Sequence, residues 1–209
     1  MKSQKSPLVW TLIATALILI AAPFSMAISV RSLSLDEMTS LSDRIFLGTV
    51  LGVKKQLDPR IGFKVVTYSF RVVEGVKGVK RGETITVRQI DTAGSGLSIA
   101  SGMPSYRKGS TILLFLHGDS RFGLTSPVGQ LQGVFREVRI PGGGKGYLNG
   151  VDNRNLAGSA GQASRSSSGD AAAGGWKNDF FSGPLSLETI SDMVADTEKA
   201  EGSAGVPGK

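Results

Sequence analysis

Cysteine is absent from all 209 residues, and histidine occurs once, at His117. No disulfide can form, no thiol can act as a nucleophile, and neither a cysteine zinc site nor a histidine cluster can be assembled. Aromatic residues are sparse, at 7% of the chain. Charge is better represented: Lys and Arg outnumber Asp and Glu by 24 to 17, a net +7. That excess is spread along many segments, which suits an anionic partner and says nothing about fold.

Long apolar runs are missing too, with one exception. Leu8 to Ala22 is apolar for 15 residues, preceded by Lys2 and Lys5 and followed by Pro23 and the small-residue stretch Ser25-Met26-Ala27. The run is shorter than the roughly 20 residues that span a bilayer. Its order of basic, apolar and small residues is that of an export signal over residues 1–27, cleaved after Ala27. The expected destination is the periplasm or the medium, and no Cys follows the run to take a lipid. The alternative is an uncleaved helix, extended through Phe24 and Met26, that anchors a structural protein in the membrane. A domain exported without disulfides must be held by packing alone, which favours a continuous sheet core over a small loop-rich scaffold.

What is present is mostly strand pattern. Ser34 and Glu37 form a capping box, with Leu33 and Met38 at the staple positions, and predict a short helix from Leu35 to about Leu41. Arg44 to Val53 is β-rich, with Gly48 and Gly52 able to accommodate a bulge. In Phe63 to Val73, Val66, Tyr68, Phe70 and Val72 alternate with Thr67, Ser69 and Arg71, the period of a half-buried strand. Lys80-Arg81-Gly82 marks a turn and Thr84 to Ile90 alternates again. Ile112 to Leu116 is apolar on both faces and predicts a central strand. Phe122–Thr125 and Gln132–Ile140 are two further expected strands, and Asp91–Met103 is expected as a long loop.

Beyond them, Ala157 to Gly175 is almost wholly Gly, Ser and Ala. That composition buries too little apolar surface to offset chain entropy, so residues 141–184 are expected to be flexible. Leu187, Ile190, Met193 and Val194 make one apolar stripe and predict an amphipathic helix within residues 185–200, followed by a disordered tail, 201–209. A helix that short is marginal alone in water and must dock on something.

The familiar chemistries fail on context. Ser98 in Gly96-Leu97-Ser98-Ile99-Ala100 has the outline of a nucleophile elbow, but no strand feeds it and the one possible base, His117, ends a core strand. A hydrolase is therefore the weakest reading. Pro141 to Gly146, with Lys145, lacks both the Ser/Thr and the helix of a phosphate loop. Asp152, Asn153 and Asn155 make an oxygen-rich turn without the terminal Glu of a calcium loop. Glu188, Asp192, Asp196 and Glu198 are spaced as a solvated helix face. Lys54, Lys55, Arg60, Lys64 and Arg71 lie near Tyr68 and Phe70, as in barrels that stack single-stranded nucleic acid. Alternation instead assigns those aromatics to the core, so nucleic acid is not expected. No catalytic residue, metal or cofactor is expected.

Leu41-Ser42-Asp43-Arg44-Ile45 with Gly48, then Thr67 to Val72 ending in Lys77-Gly78, resembles a pattern of uncharacterised exported bacterial proteins. The same run distantly resembles the netrin-like module, which includes the tissue inhibitors of metalloproteinases. Ile85-Thr86-Val87 falls where that module has its third strand, and Tyr106-Arg107-Lys108-Gly109 with Ile112 to Leu116 where it has a later one. The resemblance covers about Leu33 to Ile140 and implies an OB-like barrel. Protease inhibition does not carry over, because in the animal family it depends on an N-terminal cysteine.

The resulting expectation is a mainly β protein. An OB-like antiparallel barrel of five to six strands fills residues 28–140, with a short N-terminal helix and a C-terminal helix after a flexible segment. The expected function is non-enzymatic: an exported binding or envelope-associated module whose partner is a protein or an anionic envelope polymer. By analogy with OB folds the ligand surface lies at the loops around Lys54–Gly62 and Asp91–Ser105, with Lys54, Lys55, Arg60 and Arg107 as its residues.

Overall fold

A computed structural model describes residues 31–92, 103–140, 144–154, 156 and 183–204 of the chain. The expected export segment with its cleavage site, residues 93–102 of the expected loop with Ser98, the whole Gly/Ser/Ala-rich stretch 157–175 and residues 205–209 lie outside the described residues.

The first helix, α1 (Leu35–Ser40), starts where the capping box placed it. The Ser34 hydroxyl accepts from the Glu37 amide at 3.1 Å and the Glu37 carboxylate accepts from the Ser34 amide at 2.9 Å, which satisfies two amides the helix cannot. Six strands follow: β1 (Arg44–Asp58), β2 (Phe63–Lys77), β3 (Thr84–Ile90), β4 (Thr111–Leu116), β5 (Val134–Arg139) and β6 (Lys145–Leu148). They form one antiparallel sheet in the order β3-β2-β1-β4-β5-β6. Helix α2 (Leu187–Ala204) closes the described chain.

Both faces of the sheet are buried, which explains why the middle strands are apolar at successive positions. On one face Ile45, Leu47, Leu113, Phe115 and Phe135 pack under α1 and α2 through Leu35, Met38, Ile190 and Val194. On the other, Phe46, Val50, Tyr68, Phe70, Val72, Val87, Ile112, Leu114, Leu116 and Val134 gather around Tyr106. The hairpin of β1 and β2 bends between these faces at three register shifts, next to Phe46, Gly48 and Leu51. At Gly48 a Cβ would come within 2.8 Å of the Phe46 ring, so only glycine lets that ring fold back under the bend.

The mainly β, antiparallel, six-stranded architecture is as expected; closure of the barrel is not. The sheet is open, with β3 and β6 at its edges. What spans the gap beside β3 is an irregular strap after β4: Thr125 donates its amide to the Arg88 carbonyl at 2.9 Å, and the His117 amide donates to the Ser126 carbonyl at 3.1 Å. Phe122–Thr125, expected as a strand, is part of this strap, because Gly123 takes a left-handed φ of 67° and turns the chain. Gln132 and Gly133 belong to a 3-10 turn (Gln130–Gly133) that precedes β5.

The segment expected to be flexible, 141–184, contains β6. Its glycines masked Tyr147, which is buried and exchanges backbone hydrogen bonds with Leu185. Asn149, and Asn153 of the oxygen-rich turn, cross-link β6: Asn153 donates to the Tyr147 and Gly183 carbonyls, both at 2.7 Å, and accepts from the Asn149 amide. Helix α2 runs to Ala204, past its expected end, and Thr197 ties it to α1 by donating to Asp36 at 2.9 Å.

Candidate functional site

Sheet pairing of β1 is unequal along its length. Its first half is held on both sides, by β2 and by β4, and the β4 pairing ends at Thr49 opposite Thr111. Val50 makes the last bonds on that side, to Ser110 and Gly109 at 2.9 and 2.8 Å, where Gly109 with φ 84° turns the chain into β4. From Leu51 to Asp58 the strand is bonded to β2 alone, and among the described residues nothing occupies its other edge. An unpaired edge presents backbone donors and acceptors to any chain that can lie along it.

The side chains on this half of the hairpin are unusual for a surface. Leu51, Val53, Leu57 and Phe63 are 43%, 42%, 63% and 53% exposed, and they are half of the large apolar residues that the described structure leaves open. Cross-strand register puts Val53, Lys55 and Leu57 on one face, beside Tyr68, Val66 and Lys64 of β2; Gly52, Lys54 and Gln56 lie on the other. Each face of the free edge therefore carries one lysine. Phe63, opposite Asp58, belongs to the second face, so each face sets exposed apolar side chains beside a lysine, a combination that suits an interaction surface.

The four residues expected at the ligand surface divide. Lys54 and Lys55 are exposed on the free half of β1, which is strand where a loop was expected, and Lys55 pairs with Asp91 at 3.0 Å. Arg107 is exposed two residues before Gly109, so it stands where the free edge begins. Arg60 is committed elsewhere. Its Nε and Nη2 donate to the Asp58 carboxylate at 3.1 and 2.8 Å, and Nη2 also reaches the Phe122 carbonyl at 3.3 Å.

Asp58 is the residue that sequence reasoning missed. It is 4% exposed at the end of β1 and accepts from the Arg60 side chain, from the Arg60 amide at 3.0 Å and from Arg88 Nη2 at 2.6 Å. The Arg60 guanidinium, then its amide, then Arg88 hold the carboxyl well below the usual carboxylate range against the opposing effect of burial. Arg88 Nη1 also donates to the Phe122 carbonyl at 2.8 Å. The local half of this cluster is visible in Asp58-Pro59-Arg60, where the carboxylate closes an Asx turn over proline; the Arg88 half is 30 residues away and carries no local mark.

The remaining side chains reduce the list of chemistries. Tyr68 and Phe70 are buried, edge-on to Tyr106 at 4.7 and 5.6 Å in the two ring pairs, so neither ring is a platform for the basic residues. The Gln89 amide and the Tyr106 hydroxyl lie together in this core, and neither closes a hydrogen bond of good geometry. Burial pushes the Tyr106 hydroxyl up from the usual phenol range. His117 lines a hollow of about 370 Å³ with Ile90, Met103, Ser120, Leu124 and Thr125. Lys145 of the glycine-rich string pairs with Glu137 at 3.1 Å in β5. Among the described residues no group of three acidic or histidine side chains is placed to hold a metal, and no helix is long and apolar enough to cross a membrane.

No family model, no curated protein and no solved structure matches the chain.

Proposed function

We propose that this chain is an exported, non-enzymatic binding protein whose ligand surface is the free half of the β1–β2 hairpin, with Arg107 at its inner end. One observation carries the reading: beyond Val50, the second edge of β1 has no strand partner among the described residues, and Leu51, Val53 and Leu57 are exposed along it with Lys54 and Lys55. Natural sheets cover or blunt such edges unless they are used, and lysines placed along one repel a second copy while attracting an anionic partner. Export rests on the residue 1–27 pattern, and the resemblance to the netrin-like module agrees with a binding role that needs no catalytic centre. The partner is a protein or an anionic polymer of the cell envelope.

Affinity capture from an envelope extract tests it. The protein should retain a defined partner that Lys54→Glu/Lys55→Glu/Arg107→Glu releases and that Arg139→Glu, far along the sheet on β5, does not. Equal capture by all three proteins would refute the surface. Mass spectrometry of the exported protein tests the address, with Ile28 as the expected first residue.

A further inference from the structure

We infer that the free edge of β1 takes an extended acidic peptide segment, added to the sheet as a further strand beside Leu51–Leu57. The inference rests on the binding reading above and names the partner's chemistry. Three features select an extended chain over other anionic ligands. The edge offers backbone groups at the strand repeat, which a second backbone satisfies and a sugar or phosphate polymer does not. Val53 and Leu57 stand two positions to either side of Lys55 on one face, so a ligand needs apolar side chains as well as charge. Lys54 occupies the opposite face, and Lys55 shares its charge with Asp91 at 3.0 Å. The ligand therefore places an acid on each of its own faces, as alternating side chains of a strand do, the one opposite Lys55 competing with Asp91.

These positions translate into a sequence. An antiparallel chain reads β1 from Leu57 back to Val53, and its residues opposite are apolar, any, acidic, acidic, apolar. A second copy of this chain is a poor occupant. Antiparallel pairing of two copies centred on this segment would set Lys54 against Lys54 or Lys55, and like charges directly opposite are destabilising. Within the described chain the edge is not bonded by any other segment.

The test uses the purified protein, a displayed library of random peptides, and polyphosphate as the non-peptide anionic polymer. Selection should enrich sequences with two adjacent acidic residues between apolar ones. The enriched peptide should slow amide exchange within Leu51–Leu57, and Lys54→Glu/Lys55→Glu should weaken its binding by about tenfold while exchange in β4 is unchanged. The inference is overturned if enriched peptides lack the acidic pair, if nothing enriches, or if binding leaves exchange in Leu51–Leu57 unaltered. Equal protection by polyphosphate would overturn it in favour of a non-peptide polymer ligand. If the charge reversals release the envelope partner while no peptide protects the edge, strand addition fails and the binding reading stands. If they affect neither, both fail.

Discussion

Arg88 holds Asp58 with one guanidinium nitrogen, at 2.6 Å, and the Phe122 carbonyl with the other, at 2.8 Å. A single side chain on β3 thus joins the tip of the β1–β2 hairpin to the strap that follows β4. This clasp substitutes for the strand pairing that a closed barrel would have there. It also fixes the hairpin whose other edge is left free.

Removing one member of the clasp should therefore loosen the hairpin without unfolding the helix side of the sheet. Arg88→Met leaves a buried carboxylate with Arg60 alone, and breaking a buried pair from one side is the costly way to break it. Amide exchange should rise in Phe63–Val66 and at Thr125 and stay near wild type in Leu113 and Phe115. Uniform acceleration across all strands would contradict a local clasp.

Acid should reveal the same cluster. The Asp58 carboxyl is depressed in the folded protein, so the unfolded chain binds its proton first, near the ordinary value of about 4. The stabilisation by Asp58 is complete above that pH and is lost progressively as the pH falls below it. Urea unfolding of the wild type and Asp58→Asn should show a gap that is constant at neutral pH and narrows below about pH 4. A gap that widens in acid would have the wrong sign.

Asn153 is fully buried with φ 58°, a left-handed conformation that asparagine tolerates better than most residues. Its side chain satisfies three backbone groups, and Asn153→Ala leaves them unpaired. We expect a loss of about 3 kcal/mol in chemical denaturation, with β6 and Leu185 exchanging first. A loss under about 1 kcal/mol would mean that water replaces the amide.

Gln89 and Tyr106 are polar groups without good partners inside an apolar cluster. Replacing both, as Gln89→Met/Tyr106→Phe, keeps the shape and removes two desolvated groups. Unfolding free energy should rise by about 1–2 kcal/mol. A decrease would show that the pair is satisfied in solution.

Strand periodicity was legible wherever one side chain type recurred at every second residue, as in Val66 to Val72, and the capping signals at Ser34 were sufficient for α1. Composition misled where few large residues sat among glycines: Tyr147 is the buried aromatic of β6, and no window average registers it. The outer end of β1, beyond Val53, was cut short because it carries Lys54, Lys55 and Gln56 in place of core residues; β2 was cut short at its other end, where Glu74 and Gly75 interrupt the alternation. That same exposed half is the candidate surface, so the part of the strand least like a strand is the part available to a partner. Lys54, Lys55 and Arg107 are named from charge, and the structure leaves all three side chains exposed. Asp58 was hidden because its second arginine is distant in sequence, and the pairing of Arg60 with it was hidden because a basic residue in a turn looks free until its carboxylate is placed.

The most direct measurement is an amide-exchange footprint of the protein with and without its captured envelope partner. Protection centred on Leu51–Leu57, with the strap Ser120–Ser126 and β6 unchanged, is the result expected of a ligand lying on the free half of β1. Protection confined to the strap, the His117 hollow or the α1–α2 face, with Leu51–Leu57 exchanging as in the free protein, would contradict it.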